Sequence, residues 1–122
     1  MEIKWGCSSR IDTIDDELLN IMSRAGCNTI FFGVESGSQR MQKILKKNLD
    51  LNIMDKLIAS LKKYNIEPIF SFIYGFPREK PADIEMTLDL YYKIYEAYRN
   101  NFFKRKAFIQ LHKLMFLPGT DI

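Results

Sequence analysis

The run Thr29-Ile30-Phe31-Phe32-Gly33-Val34-Glu35-Ser36-Gly37-Ser38 decides the architecture. Its first six residues are β-branched, aromatic or small, with no polar alternation, which is the pattern of a strand buried on both faces. Such a strand belongs to a parallel α/β sheet covered by helices. The run then breaks into Glu35 and a Ser-Gly-Ser turn. A carboxylate therefore stands at a strand's carboxyl end, where parallel α/β folds bind their ligands.

Working outward, strand and helix patterns alternate. Glu2 to Ser8 carries Ile3, Trp5 and Cys7 at period two and reads as a first strand. Asp12 or Thr13 is placed to cap a helix running through Arg24, with an acidic first turn (Asp15, Asp16, Glu17) and Gly26 closing it. After the Thr29–Val34 strand come a short helix, about Ser38 to Leu45, and a longer one opened by Asp50 and ending at Tyr64. Pro68 to Tyr74 is a third strand. Pro81 suits the first turn of a helix over Asp83 to Arg99, and Ala107 to Met115 is a fourth strand. Helices of this length between strands require crossovers, so the sheet is expected to be parallel.

The 122 residues fit one domain. A hydrophobic share of 47% and a charged share of 27% exclude a disordered chain. No apolar run approaches the roughly 18 residues of a membrane span, and no signal peptide opens the chain. A net charge of +3 is too small to imply a nucleic-acid partner. The only cysteines are Cys7 and Cys27 and the only histidine is His112, so neither three cluster thiolates nor four zinc ligands are available. Free core thiols fit a cytoplasmic chain, although a Cys7–Cys27 disulfide stays open.

The strand ends hold the candidate site residues. Glu35 costs several kcal/mol of desolvation unless it finds donors or a cation, and at a barrel rim it could take ribose hydroxyls or an ammonium group. Its other reading is a solvated cap of the Ser38 helix. Gly33 leaves room on the same face, or marks a bulge. Arg10 could bind a carboxylate in two-pronged fashion, or simply pair with Asp12. His112 reads as a satisfied structural histidine. Tyr91, Tyr92, Tyr95, Tyr98, Phe102 and Phe103 read as a helix packing broadly on the sheet. Lys104-Arg105-Lys106 is a solvated connection or a basic substrate-facing loop.

These residues together carry a resemblance. Trp5, Cys7, Arg10, Asp16-Glu17-Leu18-Leu19, Ala25-Gly26-Cys27, Phe32 to Ser38, Lys46, Gly75-Phe76-Pro77 and Pro118-Gly119-Thr120 occur in an order and spacing similar to the C-terminal part of a radical S-adenosylmethionine (radical SAM) domain. The likeness is greatest to the branch in which a cobalamin-binding domain precedes the barrel.

The resemblance implies an α/β fold: part of a TIM-like (β/α)6 barrel, about four strands and three to four helices, with residues 1–122 a single partial domain supplying strands three to six. It implies that the rest of a longer parent chain is a partner, since the first strand starts at the N-terminus and Pro118-Gly119-Thr120 nearly ends the sequence. It implies reductive cleavage of S-adenosylmethionine by a [4Fe-4S] cluster to a 5′-deoxyadenosyl radical. The cluster, and cobalamin if it is used, belong to the full-length parent rather than to this chain alone. Position by position, Glu35 and Ser36 match residues contacting the ribose or methionine part, and Ser71 and Gly75 lie in the segment whose backbone meets the adenine. Arg10 matches a rim position near the methionine. The resemblance leaves the catalytic residues open and assigns no metal ligand to this chain.

Two departures stand out: Arg78 replaces the glycine usual before the glutamate, and Asp50 replaces a hydroxyl helix cap. The competing reading is a truncated barrel serving as a non-catalytic binding or scaffold module. A Rossmann or flavodoxin-like domain is disfavoured, because no GxGxxG follows a strand. An open first strand would also favour self-association through its edge.

Overall fold

The computed structural model describes residues 3–99 and 107–115. Phe102, Phe103, the Lys104–Lys106 cluster and Pro118-Gly119-Thr120 lie outside them. Four strands, β1 (Trp5–Ser9), β2 (Cys27–Glu35), β3 (Glu67–Tyr74) and β4 (Phe108–Lys113), form one sheet in chain order. Every neighbouring pair is parallel. The crossovers carry α1 (Asp16–Arg24), α2 (Gln39–Ile44), α3 (Met54–Lys63) and α4 (Pro81–Arg99). The expected α/β class and parallel sheet are what the chain adopts.

Local chemistry sets the boundaries. Asp15, rather than Asp12 or Thr13, caps α1 by accepting the Leu18 amide at 2.8 Å. Asp12 is taken by Arg10, and the Thr13 hydroxyl by the Arg10 carbonyl. Asp50 caps a 3-10 turn over Leu51–Ile53, so the α-helix itself begins only at Met54. Pro81 opens α4, where its missing N–H and fixed φ are tolerated.

The sheet has one well-covered face. Ile30, Phe32, Val34, Phe70 and Phe72 are buried there with Leu19 of α1, Leu57, Ile58 and Leu61 of α3, and Leu90 and Ile94 of α4. Phe32 and Phe70 are register partners and stack at 5.4 Å. Burying each ring contributes about 2 kcal/mol or more. The expectation that β2 is buried on both faces needs correction: Ile30, Phe32 and Val34 are fully buried, whereas Thr29, Phe31 and Gly33 are only half-buried. The second face carries an apolar row, Phe31–Ile69–Phe108, below a polar row, Gly33–Ser71–Gln110. Its apolar row made the strand look doubly buried in sequence.

One further expectation changes. α4 packs through Thr87, Leu90 and Ile94, while Tyr92 and Tyr95 are 62% and 52% exposed, so the tyrosine series does not face the sheet as a whole. His112, read as a satisfied structural histidine, is exposed on β4 with its ring hydrogen-bonded to the Gln110 side chain at 3.2 Å. Cys7 is half-buried, Cys27 is buried, and both are free thiols. Burial pushes the Cys27 thiol pKa up.

Candidate functional site at the carboxyl ends of the strands

Because the strands are parallel, their carboxyl ends share one rim, and β2 supplies its first charged group. β2 slips register between Gly33 and Glu35, and Glu35 is left-handed at φ 66°. Few non-glycine residues occupy that region, so neighbouring contacts must hold it there. The Lys47 ammonium forms an ion pair with the Glu35 carboxylate. Both head groups sit over Gly33, where an added Cβ would lie 3.2 Å from Glu35 Oε1 and 3.3 Å from Lys47 Nζ. A side chain at position 33 would press on both head groups and require them to shift by a few tenths of an ångström.

Arg10 reaches the same corner from β1. Its guanidinium binds both Asp12 oxygens, at 2.9 and 3.0 Å, and donates to the Lys47 carbonyl at 2.8 Å. The Arg10 hydrogen bond holds the Asp12 carboxyl below its ordinary pKa. The plain reading of Arg10 as the partner of Asp12 describes its position, with an added link to Lys47.

Ser36 is fully buried. Its hydroxyl lies 3.3 Å from Thr87 Oγ1 and accepts the Ser38 amide, so the side chain serves an internal network. That network continues through Ser38, whose hydroxyl donates to Asp83 at 2.6 Å and accepts the Met41 amide as the α2 cap. Asp83 also accepts the Lys80 amide and pairs with Arg40, which donates in turn to the Arg78 carbonyl. These donors, the Ser38 hydroxyl foremost, hold the Asp83 carboxyl below its ordinary pKa. Buried Gln42 donates to the Val34 and Ser36 carbonyls and fixes the strand-to-helix turn.

On β3, Ser71 is buried on the second face beside Gly33. The chain leaves the strand at Gly75, φ 92°, whose amide donates to Glu79 Oε1 at 2.7 Å. Glu79 Oε2 is buried and has no hydrogen-bond partner among the described residues. Arg78 adopts φ 70°, the left-handed conformation that the usual glycine would take freely.

The rim thus gathers Glu35, Gly33, Ser71 and Gly75, while Ser36 and Arg10 stand behind it. Sequence reasoning missed Lys47, Glu79, Gln42 and Asp83. Asp83, two residues after a helix-opening proline, carried a capping signal; Lys47, one of two adjacent lysines, carried none. Among the described residues no group of three or more His, Cys, Asp or Glu side chains could hold a metal ion.

The family model of the Radical SAM superfamily matches residues 2–91. The chain belongs to the radical SAM superfamily. An uncharacterized methyltransferase of Pyrococcus horikoshii is 32% identical over 88 residues, covering 72% of this chain and 19% of that protein. This radical SAM chain spans about a fifth of the length of the curated relatives it matches.

Solved radical SAM enzymes share the fold. Coproporphyrinogen III oxidase (HemN) from Escherichia coli superposes with a TM-score of 0.73 at 16% identity, covering 94% of this chain and 24% of that one. The radical S-adenosylmethionine methyltransferase TsrM from Kitasatospora setae, solved with cobalamin and a [4Fe-4S] cluster, gives 0.65 at 15% identity, over 75% and 18%.

Proposed function

We propose that this chain supplies part of the S-adenosylmethionine-binding rim of a radical SAM enzyme, across the carboxyl ends of β2 and β3. The observation that carries the reading is Glu79, whose buried Oε2 has no donor among the described residues while Oε1 holds Gly75. Leaving such an oxygen without a donor costs about 1–3 kcal/mol, so the position is suited to a ligand N–H or O–H. Beside it the Gly75 backbone is open: an added Cβ would meet nothing closer than 3.9 Å. Glu35, over the space left by Gly33, is a second acceptor. An adenosine moiety carries amine and hydroxyl donors that suit two such acceptors. Ser71 and the Gly75 backbone complete the contact, and Ser36 and Arg10 support it indirectly.

The residues present do not fit the [4Fe-4S] cluster, since the whole sequence holds two cysteines. A cluster held elsewhere in the enzyme would supply the one electron that cleaves a C–S bond of bound S-adenosylmethionine to methionine and a carbon radical. The residues of this chain bind and orient it. Free thiols at Cys7 and Cys27 agree with a cytoplasmic setting. No helix among the described residues is long and apolar enough to cross a membrane. Self-association through the open β1 edge accompanies this reading.

The test is a nuclear magnetic resonance titration with S-adenosylmethionine. Weak, saturable shifts are expected at Glu35, Gly75 and Glu79, reduced by Glu35→Ala and by Glu79→Gln. Tight binding indifferent to Glu35→Ala would remove Glu35 from the site. An unperturbed rim at millimolar ligand would favour the scaffold reading.

A further inference from the structure

The chain Asp12–Arg10–Lys47–Glu35 links the ends of β1 and β2, and no single residue in it explains its own geometry. Lys47 lies between two left-handed residues, Lys46 at φ 56° and Asn48 at φ 54°. The Lys47 and Asn48 amides both donate to the Gln42 carbonyl at 3.1 Å. The Lys47 carbonyl is the group taken by Arg10, from 37 residues away. Arg10 is itself fixed by its two-pronged bond to Asp12, which a lysine could not reproduce while also reaching Lys47. The side chain that leaves this clamped turn ends on Glu35, which is left-handed and stands where β2 has slipped register.

We infer that Lys47 is the positioning residue that aims Glu35 over Gly33, and that Arg10 acts on Glu35 only through Lys47. Arg10 then touches no ligand. It fixes the backbone from which the lysine reaches, so the rim keeps one orientation of its carboxylate before any ligand arrives. Among the described residues Lys47 is the ion-pair partner of Glu35, and both side chains are only about one-quarter exposed. The inference deepens the ligand reading above, and takes from it only the use to which Glu35 is put.

The carboxyl carbon resonance of Glu35, read at one fixed pH in the free protein, tests it. Lys47→Met and Arg10→Ala should move that signal in the same direction, and Arg10→Ala should add nothing in a Lys47→Met background. Arg10→Lys should move it as well, which guards against a variant that simply fails to fold. Signals of Leu19 and Leu61 in the core should stay in place. An Arg10→Ala or Arg10→Lys spectrum with Glu35 unmoved would overturn the role of Arg10, and additive shifts would show that it acts by another route. An unmoved Glu35 in Lys47→Met would overturn the role of Lys47. With added S-adenosylmethionine, each of these variants should bind several-fold more weakly than the parent protein. If the parent itself shows no binding, the ligand reading fails while the Glu35 signal still decides the positioning.

Discussion

The Ser38 hydroxyl donates to the Asp83 carboxylate at 2.6 Å, although 45 residues separate them in the chain. That contact ties the start of α2 to the first turn of α4, and so joins the loops that follow β2 and β3. Asp83 closes the first turn of its own helix by accepting the Lys80 amide, in the manner of a capping box. Ser38→Ala removes both the α2 cap and the interhelical bond. It should destabilise the fold by about 1–2 kcal/mol in a denaturant titration. In a double-mutant cycle with Asp83→Asn, the two losses should be less than additive.

The same carboxylate makes the fold acid-sensitive. Its pKa is depressed in the folded state, chiefly by the Ser38 hydroxyl and then by the Lys80 amide and Arg40. A depressed carboxyl contributes stability that is present above the unfolded value, about pH 4, and lost as the pH falls through the folded value. Thermal melts should show a steeper loss below about pH 4 for the parent protein than for Asp83→Asn. Parallel pH profiles for the two would mean that Asp83 contributes nothing through its charge.

Gly37, in the turn between β2 and α2, lies against the backbone of α4. A Cβ there would lie 2.6 Å from both the Met86 carbonyl oxygen and Thr87 Cα. Both are backbone atoms, so relief requires α4 to move. Gly37→Ala should cost about 1–3 kcal/mol by chemical denaturation and weaken the Thr87 contact to the Gly37 amide. A variant as stable as the parent would show that the turn and α4 move apart without loss.

Much of this was legible in the sequence. The apolar runs at Thr29–Val34 and Pro68–Tyr74, with helices between, carried the parallel sheet, and the polar residues after them marked the rim. Glu35 stood out because a carboxylate rarely ends such a run. Its partner was hidden, because Lys47 reaches it by way of two left-handed residues that no local pattern betrays. Asp50 and Asp15 show the limit on boundaries: both cap a turn, but whether an α-helix or a 3-10 turn follows depends on packing, and neighbouring Asp12 had the same chemistry. The half-open face of β2 was misread because Phe31 is as apolar as Phe32, and only pairing with Ile69 and Phe108 distinguishes the faces.

Iron offers a simple check on the division of labour within the superfamily. Two cysteines on adjacent strands cannot provide three thiolates, and no other group of ligands assembles among the described residues. Anaerobic reconstitution of this chain with iron and sulfide should leave it colourless and without stoichiometric iron after desalting. A brown product with cluster absorbance would require ligands other than these cysteines.

The sheet has two outer edges, on β1 and on β4, and neither has a described strand beside it. Edge strands expose unpaired N–H and C=O groups and pair readily with another chain. Ile3, just before β1, is 72% exposed, and Phe108 on β4 is 56% exposed, so both edges add apolar surface. Trp5 does not contribute: its indole packs on the helix-covered side, and its N–H is tied to the Ala25 carbonyl at 2.8 Å. Its fluorescence therefore reports folding rather than association. We expect a two-fold dimer at micromolar concentration, closed most simply by pairing one β1 edge with another. Sedimentation should show the dimer for the parent protein and a shift toward monomer for Ile3→Lys, with Trp5 emission unchanged. A monomer at every micromolar concentration tested would show that the β1 edge is not an interface.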